Sequence, residues 1–270
     1  MNLIEIKSPA KLNLHLQVLN RRIDGFHNIS SLFTLIDIAD EMSFKRTEKY
    51  IDLIESTPIQ DNIVLKAAKL LKENYGVNKG VTINLSKSIP EQKGLGGGSS
   101  NAASTLICLN KLWDLDLPQP ELQSLALQLG SDVPFFVYGK TAWAEGRGEL
   151  LRRFPYKKRF FILIFPDEKI STREAFNNFK IKEEIQLNKE NFSNELSFNS
   201  FEKWVRNKYA SINSLFNKFE SIGKPRLSGT GSTIFIEFDS EDQARLVHKR
   251  NPELVFVKSL DRSPLMQIIE

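Results

Sequence analysis

Residues 89–104 read IPEQKGLGGGSSNAAS, in which four glycines and the serine pair at 99 and 100 stand directly before apolar positions of helical spacing at Ala102, Leu106, Leu109 and Trp113. A backbone without Cβ atoms can approach an anion closely. The unpaired N–H groups of a helix start offer donors where the macrodipole favours negative charge. The stretch therefore reads as a phosphate cradle, with Ser99 or Ser100 expected as both helix cap and phosphate ligand. A strand expected over 81–85 completes the order strand, glycine loop, helix.

Other glycine-rich designs do not fit. A Walker loop needs Lys and then Ser or Thr after its glycines, and none follows here. A dinucleotide fingerprint needs a sixth-place glycine, where this chain has Ser99; Asp114 lies about twenty residues beyond Gly94 but precedes LPQP rather than closing a second strand. The protein-kinase sequences HRD and DFG are absent. What remains is PxxxGLGxxSS, from Pro90 to Ser100.

Of the 270 residues 41% are hydrophobic, which suits a soluble globular chain of one large or two smaller domains. A net charge of +4 would suit an anionic substrate without specifying one. Cys108 is the single cysteine, so no intramolecular disulfide can form; a cytoplasmic location is expected, with the thiol buried as a small apolar group. The start MNLIEIKSPAKL lacks a signal pattern, and the apolar run 160–165 is too short to span a bilayer. A small-molecule partner is expected, with no nucleic acid and no membrane, and no oligomeric state follows.

Residues 11–18 alternate, with Leu12, Leu14, Leu16 and Val18 on one face and Lys11, Asn13, His15 and Gln17 on the other, as in a half-buried strand. A turn at Asp24 and Gly25 leads to two further strands, 29–38 and 41–45. Val64, Ala67, Ala68 and Leu71 predict a helix over 63–72, and Leu122, Leu125, Ala126 and Leu129 another, closed by Gly130. In SDVPFFVYG, Ser131 is expected to cap a short helix with Pro134 in its first turn. A strand pair over 141–151 completes a first α+β unit, residues 1–150. Beyond it come a buried strand at 160–165, a helix from Thr172, and a polar surface loop or frayed helix over 177–199. Helices over 201–209 and 212–222, the strand-turn-strand KPRLSGTGSTIFIEF, a helix over 241–249 and a strand over 254–257 make a second α+β unit, residues 151–270.

Three further segments each have an ordinary structural reading. Lys11 and Asn13 in SPAKLNLHL read as solvated strand residues, Asp132 in SDVPFF as an acid complementing a helix dipole, and SGTGS at 228–232 as a tight turn. Together they match what phosphoryl transfer needs: a cradle for phosphates, a cation near the transferred group, and a carboxylate to orient or deprotonate the acceptor hydroxyl. A carboxylate at a helix start tends to stay ionised, as a base must, and a nearby Lys11 would reinforce that. The reading requires Lys11 and Asp132 to meet in space.

The glycine loop and SGTGS resemble motifs of the kinase superfamily named for galactokinase, homoserine kinase, mevalonate kinase and phosphomevalonate kinase. SPAKLNLHLQV, DGFHNISSLF, DNIVLKAAKLL, GSDVPFFVYG, AEGRGE and LSGTGSTIF, in order over most of the chain, are similar to one branch of it. That branch comprises the kinases of the non-mevalonate isoprenoid route, which act on a cytidine-diphosphate-linked methylerythritol. The resemblance implies a two-domain α+β fold, with a ribosomal-protein-like ATP-binding domain at 1–150 and a ferredoxin-like domain at 151–270 completing the substrate cleft. It implies ATP, Mg2+ and transfer to a tertiary 2-hydroxyl of the acceptor.

Carried over by position, Asp132 would be the base, Lys11 its charge partner, and Asn13 a group positioning the hydroxyl. Gly94, Gly96, Gly97, Gly98, Ser99, Ser100 and Asn101 would hold the ATP phosphates, with Gly229 and Thr230 lining that site from the second domain. Asn62 and Lys93 would lie near the adenine, and no side chain is implied as a metal ligand. A pyrimidine is held by stacking and read along its edge by groups that donate and accept, which fits Phe26, His27 and Phe176 if the domains close on each other. The family more often has Tyr at Phe26, and small residues where this chain has Glu91, Gln92 and Lys93. Two alternatives stay open: a superfamily kinase for another small alcohol such as homoserine or mevalonate, and a nucleotide-binding regulator that does no chemistry.

Overall fold

The computed structural model describes residues 2–55, 61–179 and 186–269. It begins with two long antiparallel strands, β1 (Leu3–Arg21) and β2 (His27–Thr47), paired along nearly their whole length. The break expected inside β2 does not occur, because Asp40 is fully buried and hydrogen-bonded rather than turning the chain at the surface. A short strand with no counterpart among the expected elements, β3 (Ile51–Glu55), pairs parallel with β4 (Gly80–Ser86), and β4 pairs antiparallel with β2.

Helices α1 (Ile63–Asn74), α2 (Gly97–Leu112), α3 (Gln119–Leu129) and α4 (Val133–Tyr138) belong to this first half, as do the paired strands β5 (Ala142–Glu145) and β6 (Leu150–Arg153). Helix α2 is buried through most of its length, and small residues at Ser100, Ala103 and Ser104 let it lie close to the strands.

The second half holds β7 (Phe160–Ile164), α5 (Thr172–Asn178), α6 (Glu202–Lys208), α7 (Ala210–Phe219), β8 (Arg226–Leu227), β9 (Ile234–Phe238), α8 (Glu241–Arg250), β10 (Val255–Leu260) and α9 (Met266–Ile269). Its strands run in the order β10-β7-β9-β8, and β10 reaches back to β2 through Ser259 opposite Ile36 and Leu260 opposite Leu35. Between α5 and α6 residues 180–185 lie outside the described residues; of the rest, residues 190, 191 and 193–196 are exposed, as a surface loop requires, while a few side chains pack inward. Leu187 is buried, its carbonyl accepts from Ser30 Oγ at 2.7 Å, and Phe192 and Phe198 sit against His15.

One irregularity decides which side chains face the site. Asn13 lies opposite Phe33 and His15 opposite Leu32, so Leu14 has no partner and forms a β-bulge. Across a bulge the alternation of faces reverses. Ala10, Leu12 and Leu14 join a cluster with Leu32, Trp143 and Phe161, whereas Leu16 and Val18 join the other cluster, with Phe33 and the α2 residues. Lys11 and Asn13 therefore face the α2 side, while His15 turns to the opposite side and stacks on Trp143 at 5.6 Å. Neither face is solvated, so the half-buried strand expected from the alternation is in fact covered on both sides: Lys11, Asn13, His15 and Gln17 are all buried.

Burial pulls the His15 pKa from 6.5 down to about 4, and Phe198 N–H donates to its Nδ1. Between those values the unfolded chain binds the proton and the folded chain does not. The His15 contribution to stability is thus complete above pH 6.5 and declines as pH falls towards 4, by about 3 kcal/mol. Chemical denaturation across that window should show the wild type losing this stability relative to His15→Phe; a constant difference between the two would refute it.

Candidate active site

The site forms where the glycine loop and the β8–β9 turn meet β1. Lys11 N–H donates to the Leu95 carbonyl at 3.0 Å, and Asn13 N–H donates to Ser228 Oγ at 3.3 Å. Ser228 Oγ in turn donates to the Gly94 carbonyl at 3.1 Å, so one hydroxyl ties strand, loop and turn together. Gly94 has φ +75°, and a Cβ there would lie 2.3 Å from the Ser228 carbonyl oxygen, so glycine is required for both reasons. Gly229, at φ +58°, faces Gly94 from the other side of the same contact.

Helix α2 starts earlier than the serines suggested. Gly96, in the left-handed region at φ +71°, occupies the cap position and its carbonyl accepts from Ser100 N–H at 2.9 Å. Neither Ser99 nor Ser100 caps the helix with its side chain, because both already lie in the first turn. Ser100 is buried with its hydroxyl 2.8 Å from that of Ser8, which also accepts from Ser104. At Gly98 a Cβ would find almost open space, so the helix start opens to the cleft.

Beneath this start lies a polar knot with no sequence signal. The Asp40 carboxylate, 0% exposed, accepts from Lys87 Nζ at 2.5 Å and Asn101 Nδ2 at 2.9 Å, and from the N–H groups of Ser88 and Ile89. Lys87 also donates to Asn101 Oδ1 at 3.0 Å. A buried carboxylate with four donors is fully compensated, and it fixes the segment leading into the glycine loop.

Lys11 and Asp132 do meet. Lys11 Nζ lies 3.4 Å from Asp132 Oδ2, donates to Asn13 Oδ1, and sits 5.3 Å from the centre of the Phe33 ring. The Lys11 side chain is 4% exposed and that of Asp132 37%, so the carboxylate is open to an incoming group while the ammonium is sheltered. Asp132, not Ser131, takes the cap position of α4, with helical backbone and no side-chain hydrogen bond to the helix. A turn closed by Val133 N–H on the Gly130 carbonyl already leads the chain into that helix, which leaves the carboxylate free for the cleft.

At the far end His27 and Phe176 rings lie 5.1 Å apart, and Phe176 packs edge-on against Phe201 at 4.8 Å. The His27 pKa is lowered, by burial first and then by Arg21, which favours a neutral ring able both to donate and to accept. Phe26 is 46% exposed and carries the Arg147 guanidinium 3.5 Å from its ring centre. At the other end Asn62 caps α1, its Oδ1 accepting from Val64 N–H at 2.9 Å and its Nδ2 donating to Glu55. The Lys93 ammonium donates to the carbonyls of Pro166 and Glu168, which joins the loop to the segment after β7. Thr230 and Thr172 hydroxyls lie 3.3 Å apart.

Every residue singled out from the sequence except Ser100 lines one cleft of about 910 Å3. Lys87 and Arg147 line it as well, although the sequence reading gave neither a role. Arg147 stood in GRG, whose glycines could have marked a close-packed loop, and Ser31 in DGFHNISSLF; Lys87 and Asp40 carried no comparable signal. Among the described residues no group of three or more His, Cys, Asp or Glu could hold a metal ion, and no helix is long and apolar enough to cross a membrane. Cys108 is buried in α2, and that burial raises its thiol pKa, as befits a packing residue.

The family described as GHMP kinases N terminal domain matches residues 62–140, and the GHMP kinases C terminal family matches residues 178–255. A 4-diphosphocytidyl-2-C-methyl-D-erythritol kinase of Wigglesworthia glossinidia brevipalpis is 41% identical over 92% of this chain and 85% of its own. One from Paraburkholderia xenovorans is 38% identical over 96% and 94%. The crystal structure of a 4-(cytidine 5'-diphospho)-2C-methyl-D-erythritol kinase superposes with a TM-score of 0.82 at 29% identity, covering 95% of this chain and 99% of its own.

The contact at Gly94 can be tested directly. Gly94→Ala should weaken binding of ATP at least about tenfold in calorimetric titration, from strain at positive φ together with the clash on Ser228. Unchanged affinity would contradict the close approach.

Proposed function

Because the chain belongs to the 4-diphosphocytidyl-2-C-methyl-D-erythritol kinase family of the GHMP kinases, we propose that it transfers the γ-phosphoryl group of ATP to the 2-hydroxyl of 4-diphosphocytidyl-2-C-methyl-D-erythritol, in the non-mevalonate route to isoprenoids. The observation that carries this reading is the Lys11–Asp132 pair, at 3.4 Å, inside a cleft that has a glycine cradle and an aromatic cluster among its walls.

Phosphoryl transfer asks the protein mainly for position and charge. The start of α2 supplies N–H donors for the ATP phosphates from Gly96, Gly97, Gly98 and Ser99, with Gly229 and Thr230 facing them from the second half. Ser100 and Asn101 act from beneath, through Ser8 and Asp40. Asp132 accepts the proton of the acceptor hydroxyl, which Asn13 helps to place. Lys11, sheltered from water, offsets charge on the transferring group more strongly than a solvated cation would. Asn62 lies towards the adenine; Lys93 shapes that side through the loop, its ammonium being committed to carbonyls.

The cytosine would lie among Phe26, His27 and Phe176, and the Arg147 guanidinium beside Phe26 offers a cation to the acceptor's diphosphate. Magnesium carried by ATP would neutralise phosphate charge, with ligands drawn chiefly from the phosphates themselves. Residues 1–150 would then bind ATP and 151–270 complete the acceptor side. A cytoplasmic location fits the single, buried Cys108.

A regulator without chemistry would have no use for a carboxylate set against a sheltered ammonium. Kinases for homoserine or mevalonate share the superfamily, whereas the relatives at 38% and 41% identity are named for the cytidine-linked acceptor. Asp132→Asn should lower kcat at least about a hundredfold with ATP affinity within about threefold of wild type, and wild-type turnover would remove Asp132 from the mechanism. His27→Ala should raise KM for the acceptor about tenfold or more with KM for ATP little changed; an unaltered acceptor KM would move the cytosine elsewhere.

A further inference from the structure

We infer that Ser31 is a positioning residue for phosphoryl transfer: its hydroxyl fixes which way the Asn13 carboxamide faces, and the carboxamide in turn holds the Lys11 ammonium against Asp132. The inference rests on the reading of Lys11 and Asp132 given above. Ser31 is 0% exposed in the middle of β2, opposite Leu16 of β1 on one side and Ala144 of β5 on the other. From that position it touches no part of the reaction.

The direction of every bond in the relay follows from what each group can do. An ammonium has donors only, so the Asn13 atom facing Lys11 Nζ must be the carbonyl oxygen. The Asn13 Nδ2 then points the other way, to Ser31 Oγ at 3.0 Å, where it must donate. Ser31 Oγ, accepting from Asn13, spends its own proton on the His15 carbonyl at 2.5 Å. The chain thus runs from Lys11 to Asn13 Oδ1, and from Asn13 Nδ2 through Ser31 to the backbone of the bulged strand, with no bond that can be reversed.

Remove the hydroxyl and the buried Asn13 Nδ2 loses its acceptor, at the cost of an unpaired buried donor. Turning the carboxamide over would not restore the bond, because it would set the NH2 group against the Lys11 ammonium, which has no acceptor. Either outcome loosens the cation at the point of transfer, and misplacements of about 1 Å in such groups can cost orders of magnitude in rate.

The test is a double-mutant cycle read as kcat at saturating substrates. Ser31→Ala should lower kcat at least about tenfold while KM for ATP moves less than about twofold. In an Asn13→Ala background, where there is no carboxamide left to orient, the same change should alter kcat less than about twofold. An equal loss in both backgrounds, or wild-type kcat in Ser31→Ala, would overturn the inference. Ser31→Thr and Ser31→Val, of equal volume and differing in the hydroxyl, provide a second measure: kcat in the threonine variant should exceed that in the valine variant about tenfold, and equal rates would count against the relay. Asp132→Asn, assayed alongside, separates the two levels. Wild-type turnover there would overturn this inference and the catalytic pair together, whereas its loss with an unaltered Ser31→Ala would overturn the positioning role alone.

Discussion

A cation buried in the middle of a sheet must be compensated, and the compensation of Lys11 organises the cleft. Its ammonium has the Asn13 carbonyl, the Asp132 carboxylate and the face of Phe33 around it. Those partners come from β1, the start of α4 and β2, so placing one charge fixes three elements relative to one another. The bulge at Leu14 makes this possible by letting the two polar residues before it face α2 while His15 turns to the opposite layer. A strictly alternating strand would have kept His15 and Gln17 on the same side as Lys11.

The two halves of the chain are joined at the same place. Ser228 bridges Asn13 and Gly94, and the Asn199 carboxamide donates to the carbonyls of Leu227 and Gly229 on either side of it. Arg226 donates to the Leu14 carbonyl at 3.0 Å, inside the bulge, and pairs with Glu237 of β9. Lys93 and Thr233 add contacts between the glycine loop and the second half, the Thr233 N–H donating to the Lys93 carbonyl. The glycine-loop side of the cleft is therefore held by buried, backbone-directed bonds, whereas the Phe26 end is more open to solvent.

Much of this was legible in the sequence, for identifiable reasons. The glycine loop and the apolar stripe behind it announced a strand, a cradle and a helix, and α2 with β4 follow that order. Lys11 and Asp132 were legible as the cation and carboxylate that phosphoryl transfer needs, and the family resemblance gave them their roles; nothing in spacing alone could bring residues 121 positions apart to 3.4 Å. The faces of β1 were misread because a bulge leaves no mark in an alternating pattern, and the cap of α2 because Gly96 enters the helix by a left-handed backbone that a serine cap does not need. Asp40, Lys87 and Asn101 are joined across long sequence separations, so the knot they form exists in the fold and not in any local stretch.

The central claim is that ATP and acceptor meet at the Lys11–Asp132 pair, with the acceptor's base at the aromatic end. A crystal structure with a non-hydrolysable ATP analogue and the acceptor tests it most directly. The expected result places the γ-phosphate between the start of α2 and Lys11, with the acceptor 2-hydroxyl about 3 Å from the Asp132 carboxylate. A hydroxyl more than about 6 Å from Asp132, or triphosphate bound at the Phe26 and Arg147 end, would contradict it.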